Sequence, residues 1–284
     1  MKNLDHLVAH AEDLLTRLEQ LLPGTPPQPD WEKSIAFRWR KRNGSGFLQP
    51  VSHPHKIALK DLQGIPEQKK LVERNTRQFV EGRTANNVLL TGAHGTGKSS
   101  LVKAVFNKFA PKGLRLIEVE KHDLMDLPDI IEQIIHRPER FILYCDDLSF
   151  EADEPGYTAL KAVLDGSITA LSENVLIYAT SNRRHLMPEY MEENLQARHV
   201  GLEVHPGEAI EEKISLSERF GMWVSFHPFS QEEYLAIAEH WVARLGAHGD
   251  PATLHRAALQ WALARGSRSG RVALQFARDW AGQQ

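Results

Sequence analysis

The sequence predicts an α/β fold, a parallel five-stranded sheet with helices on both faces, followed by a C-terminal helical lid. Three observations lead there. Between Leu59 and Phe226, short apolar runs alternate with helical stretches, the arrangement that builds βαβ units with right-handed crossovers. Those runs are apolar without interruption, as strands buried on both faces are. Beyond Pro228 the pattern turns wholly helical.

Taken in order, residues 1–58 open with an expected helix. Leu4, Leu7, Ala11, Leu14, Leu18 and Leu21 recur at spacings of three and four, and Pro23-Gly24 stops the stripe. A proline-bearing linker follows, then a basic and aromatic stretch, Phe37-Arg38-Trp39-Arg40-Lys41-Arg42, running into the turn formers Asn43-Gly44-Ser45-Gly46. No secondary structure is assigned to it. Residues 59–228 read as the α/β part. Helices are expected at Pro66–Glu81, Lys98–Phe109, Leu127–His136 and near Gly156–Leu171. Strands are expected at Val88–Leu90, Leu114–Val119, Phe141–Cys145, Val175–Ala179 and Met222–Phe226. Residues 229–284 read as the lid. Ser230 with Glu233 forms a capping box, Asp250-Pro251 an N-cap with proline at the first helical position, and a last helix starts near Gly270. Trp241, Trp261 and Trp280 read as lid core.

Composition narrows the function classes. With 42% hydrophobic and 25% charged residues, the 284-residue chain has ample apolar sequence for a core. A net charge of -3 supplies no global field for nucleic acid or acidic lipid, so any such contact needs a local patch. A lone cysteine, Cys145, forms no intramolecular disulfide and favours a reducing compartment. No apolar run is long enough for a membrane span, and the acids Asp5, Glu12 and Asp13 speak against a secretory signal. A cytoplasmic protein is expected.

The strongest chemical signal is Gly92-Ala93-His94-Gly95-Thr96-Gly97-Lys98-Ser99, which fits G-x-x-x-x-G-K-[ST] between an expected strand and an expected helix. The glycines let the backbone curl so that successive N–H groups converge on phosphate oxygens, and the helix N-terminus adds partial positive charge. Lys98 is placed to reach the β and γ phosphates of ATP, with Ser99 as a Mg2+ ligand and Ser100 counted with the loop. The strand Phe141–Cys145 then delivers Asp146 and Asp147 to its C-terminal edge. Asp146 is expected at the metal, Asp147 beside the attacking water.

At this point the sequence resembles the AAA+ ATPases. The likeness runs from about Leu59 to the C-terminus and rests on five stretches besides the Asp pair. Gly95-Thr96-Gly97-Lys98-Ser99 resembles their phosphate loop, and Asp61-Leu62-Gln63-Gly64-Ile65 the segment that packs against adenine, which brings in Ile65. Ala179-Thr180-Ser181-Asn182 resembles the first sensor, implying that Asn182 orients water near the γ-phosphate. Ser217-Glu218-Arg219-Phe220-Gly221 resembles the stretch bearing an arginine finger, so Arg219 would act on the adjacent subunit in an ATP-dependent homo-oligomer. Ser269-Gly270-Arg271-Val272-Ala273-Leu274 resembles the second-sensor helix of the lid, with Arg271, or alternatively Arg268, near the phosphates. More narrowly, the pattern resembles a bacterial family of ATP-binding proteins of unknown function. Most of the superfamily carries Glu after the metal-binding Asp. Asp147 has a shorter arm, and Glu151 is the alternative base.

Other readings stay open. Arg219 also suits an ion pair within the chain. The run Arg38–Arg42 around Trp39 suits phosphate contact with base stacking, or a solvated face. His53 and His55 have no ligand partners at metal spacing. The expected function is Mg2+-dependent ATP hydrolysis coupled to a macromolecular client. Alternatives are a slow nucleotide switch that loads nucleic acid or a partner protein, and a small-molecule kinase.

Overall fold

The structure is a computed structural model that describes residues 29–42, 44–150, 154–166, 173–182, 198–200, 203–205 and 216–284. The N-terminal leucine stripe and Glu151 lie outside the described residues.

Nine strands and seven α-helices are described: β1 Ala36–Arg42, β2 Ser45–Pro50, α1 Pro66–Val80, β3 Val88–Gly92, α2 Lys98–Phe109, β4 Leu114–Glu118, α3 Leu127–Ile134, β5 Arg140–Cys145, α4 Pro155–Leu164, β6 Val175–Ser181, β7 Arg198–Val200, β8 Glu203–His205, β9 Met222–Phe226, α5 Gln231–Arg244, α6 Pro251–Ala264 and α7 Gly270–Gly282. The sheet has seven strands in the order β2-β1-β4-β5-β6-β3-β9, all parallel except the β1–β2 hairpin. A separate two-stranded ribbon, β7–β8, lies between β6 and β9 in sequence.

The five expected strands are thus contiguous, from β4 to the β9 edge, and two more extend the sheet beyond β4. Residues 36–50, placed ahead of the α/β part on sequence, are strands of the same sheet. The strand is legible in hindsight, because Phe37 and Trp39 alternate with Arg38 and Arg40. Ala36, Phe37 and Trp39 are buried, and the arginines lie along the other face beside acids of the β4 region. Arg38 pairs with Glu118 at 2.7 Å, Arg40 with Glu120 at 2.6 Å, and Lys41 with Asp126 at 2.7 Å. Trp39 is 2% exposed and its Nε1–H donates to Asp126 at 2.8 Å. Its indole is a core group, not the base-stacking surface the sequence allowed for.

Two apolar layers sandwich the sheet, and successive residues of each strand feed opposite ones, as the pleat requires. Val88, Leu90, Ile142, Tyr144, Leu176 and Tyr178 pack with α1, α2 and the lid helices. Leu89, Leu143, Cys145, Val175, Ile177 and Ala179 pack with α3 and α4. Lid residues Tyr234, Ile237, Val242, Leu254, Phe276 and Ala277 belong to the first layer, so lid and sheet share one apolar cluster. The two expected caps are present, and α7 carries a third. Ser230 and Glu233 exchange hydrogen bonds, Asp250 accepts from the Thr253 N–H, and Ser269 accepts from the Val272 N–H. Among the described residues no helix is long and apolar enough to cross a membrane.

Because Trp39 fills the β1 edge of the core, Trp39→Ala is expected to cost about 3–5 kcal/mol in urea unfolding, the range for emptying a large aromatic site. A loss below about 0.5 kcal/mol, typical of surface changes, would mean that the edge is not part of the core.

Candidate functional site

Parallel strands all end at one edge, and here the register brings three of them together. β5 pairs with β6 so that Cys145 faces Ala179, and β6 pairs with β3 so that Ser181 faces Thr91. The next residues, Asp146, Asn182 and Gly92, therefore leave three adjacent strands at the same carboxyl edge, where open α/β sheets bind ligands.

The loop after β3 needs its glycines. Gly92 (φ 134°), Gly95 (φ 73°) and Gly97 (φ 100°) all take left-handed backbone conformations. At Gly92 a Cβ would stand 2.0 Å from the Phe226 carbonyl oxygen of β9, so no side chain fits there. Gly97 is the N-cap of α2, and Lys98 and Ser99 form its first turn.

Lys98 is 5% exposed and lies under the loop. Its ammonium donates to the carbonyls of Gly92 (2.6 Å) and Ala93 (2.8 Å) and to Asn182 Oδ1 (2.9 Å). Burial lowers its pKa from the ordinary lysine value, the charges of Asp147 and Asp146 pull it back, and Arg271 adds to the lowering. The Ser99 hydroxyl donates to Asp146 Oδ1 at 2.7 Å, and Thr180 donates to the same oxygen at 2.5 Å. Burial opposes the charge on Asp146. The hydroxyl donors, Thr180 foremost, outweigh it and hold the carboxyl below its usual range. Asp147 has φ 54°, the one left-handed non-glycine residue described. Strain of that kind concentrates at functional sites. Its N–H donates to Thr180 Oγ1 at 2.9 Å, and Asn182 Nδ2 donates to its carboxylate. Asn182 thus links the lysine to the second aspartate.

These groups line one side of a cleft of about 670 Å³, together with His94, Gly95, Thr96, Gly97 and Ser100. Ile65 lines it on the body side with Asp61, and Arg271 on the lid side. Arg268, the alternative sensor, is not among the lining residues. The lid touches the loop directly: the Gly270 N–H donates to the Gly95 carbonyl at 2.9 Å, and a Cβ on Gly95 would stand 2.7 Å from Ser269 Cβ. Arg219 is not at the cleft of its own chain. Its Nε donates to Asp165 just past the end of α4. Among the described residues there is no group of three or more His, Cys, Asp or Glu side chains that could hold a metal ion.

Sequence reasoning missed Thr180, Trp241, Arg244 and Arg278. Thr180 sat inside the first-sensor stretch, but only the fold shows its hydroxyl serving both aspartates. Trp241, read as plain lid core, also lines the cleft, beside Arg244 and Arg278. Their spacings, 241 to 244 and 271 to 278, are those of one helix face, the signal that was available.

Thr180→Val keeps shape but leaves a half-buried carboxylate and a backbone N–H without their shared partner. It should destabilise the fold by about 1–3 kcal/mol in denaturant titration. An unchanged midpoint would show that Thr180 does not organise the aspartates.

No curated protein matches the sequence. Among solved structures, the chain resembles variants of RuvB from Thermotoga maritima. One aligns with a TM-score of 0.52 at 14% identity, over 78% of this chain and 63% of that one. Two more align with TM-scores of 0.51, at 14% and 16% identity, over 78% of this chain and 63% and 64% of theirs. The likeness is one of fold, an α/β fold with a mostly parallel sheet, and the chain spans less than two thirds of those structures. Residues 32–284 match the family model described as "Protein of unknown function (DUF815)", and the chain belongs to that family.

Proposed function

We propose that this chain binds ATP with Mg2+ at the Gly92–Ser100 loop and hydrolyses it, driving movement of the lid or of neighbouring subunits on a macromolecular client. The observation that carries the reading is the Ser99–Asp146 pair beside the buried Lys98 ammonium, since those three groups meet a triphosphate and its metal together. The residues fit the metal. A serine hydroxyl and an ionised carboxylate 2.7 Å apart are hard oxygen donors, and Mg2+ ordinarily takes one or two protein ligands and completes its shell with phosphates and water. When bound, the ion would neutralise phosphate charge and orient the γ-phosphate.

The protein's own groups divide the remaining work. Loop N–H groups cradle the phosphates, while Lys98 and Arg271 add positive charge from body and lid. Asp147, to which Asn182 donates a hydrogen bond, would orient and deprotonate the attacking water. Arg219 would reach the site of an adjacent copy. Such a head-to-tail contact is heterologous and continues into a ring or helix.

The slow-switch reading has one specific support, the short arm of Asp147. Loading nucleic acid through Arg38–Arg42 would require Arg38, Arg40 and Lys41 to leave Glu118, Glu120 and Asp126, so a protein client is favoured.

Lys98→Ala should weaken ATP binding at least about tenfold, the usual scale for losing a charge-assisted contact. Asp147→Asn should keep ATP but slow turnover by roughly a hundredfold, as expected for removing a general base. Wild-type turnover in Lys98→Ala, measured as phosphate release, would refute the loop assignment.

The assembly reading predicts a small species without nucleotide and a larger one with ATP, by light scattering. Arg219→Ala alone should be nearly inactive, and mixing it with Lys98→Ala should restore part of the activity. A mixture no more active than its components, with scattering unchanged by ATP, would remove Arg219 from catalysis in trans.

A further inference from the structure

At the same cleft, a buried carboxylate joins body to lid. Asp61 is 2% exposed, and its Oδ2 accepts the Ala58 N–H at 2.9 Å. Its Oδ1 lies 2.8 Å from Arg244 Nε in the last turn of α5. That oxygen accepts no hydrogen bond of good geometry, so the guanidinium charge is what stabilises it there. The pair stands among cleft-lining groups. Leu62 and Ile65 follow Asp61 on the body side, and Trp241 and Leu245 flank Arg244 on one face of α5. Packing keeps the two sides close. A Cβ on Gly64 would come within 2.9 Å of the Phe229 ring, and His240 of α5 faces Gln63 at 3.5 Å.

A carboxylate removed from water is strongly unfavourable unless a cation stays beside it. Besides that packing, the separation of α5 from the 61–65 segment is therefore also held by charge at this place. Ile65 and Trp241 line the cleft from those two segments, and an apolar and an aromatic group together suit a flat ring. We infer that Asp61 and Arg244 are positioning residues for the nucleotide: a body-to-lid strut that sets the width of the base end of the cleft and thereby its affinity. The inference rests on the reading that this cleft binds a nucleotide.

Mg-ADP binding to the full chain, followed by displacement of a fluorescent ADP analogue, tests it. Arg244 is partly exposed, so Arg244→Gln is expected to fold. It should weaken binding about tenfold, while Arg244→Lys, which keeps the charge, should stay within about threefold of the wild type. Asp61→Asn combined with Arg244→Gln should be no weaker than the weaker single variant, the mark of a coupled pair. Two results would overturn the strut: Arg244→Gln binding as the wild type does with only its melting temperature lowered, or losses that add in the double variant. If Asp61→Asn does not fold, the two Arg244 variants still decide. A wild type that binds no adenine nucleotide refutes the nucleotide reading itself. A wild type that binds, with Arg244→Gln equal to it, refutes only the strut.

Discussion

The Lys98 ammonium is the interaction around which the site is organised. A lysine 5% exposed is a costly thing for a protein to keep charged, and its neighbourhood shows how the charge is retained. Two carbonyls of its own loop and one amide oxygen from β6 accept its three protons. Two aspartates from β5 pull its pKa back toward the lysine range. Those partners come from the ends of three parallel strands, so the charge can be held only if β3, β5 and β6 lie side by side in register. The sheet order satisfies that requirement.

The same point constrains the lid. α7 begins against the loop, with Ser269 in the space that a side chain at Gly95 would need and the Gly270 N–H on the Gly95 carbonyl. Anything that changes the loop's shape is felt at the start of α7, and through the shared apolar cluster by α5 as well. A lid packed this way moves as a body between discrete positions more readily than it deforms, because close-packed interiors resist gradual strain. On the proposed function, this contact is where occupancy of the loop would be coupled to lid position.

Much of this was legible in the sequence, for identifiable reasons. The central strands are buried on both faces and so read as unbroken apolar runs, and the loop motif carries its own chemistry in residue type and spacing. β1 was harder, because its inward Phe37 and Trp39 are separated by arginines whose acid partners lie some eighty residues downstream. Charge patterning alone reads such a stretch as solvated or nucleic-acid-facing; only the fold supplies Glu118, Glu120 and Asp126. The β7–β8 ribbon went unseen because its strands have three residues each, too short for periodicity to register. Arg219 shows a different limit. Its ion pair with Asp165 joins elements distant in sequence, and an action on a neighbouring copy is not a property of one chain's order at all. Between Arg268 and Arg271 the sequence offered no choice, whereas the helix start at Gly270 puts Arg271 at the cleft.

The measurement that bears most directly on the site is a calorimetric titration of the full chain with ATP, in the presence and absence of Mg2+. If Lys98, Ser99 and Asp146 form one triphosphate–metal site, binding saturates at one ATP per chain and Mg2+ tightens it by about tenfold or more, roughly 1.4 kcal/mol. Absence of saturable heat, or an affinity indifferent to Mg2+, would contradict the assignment of these three residues to a common site.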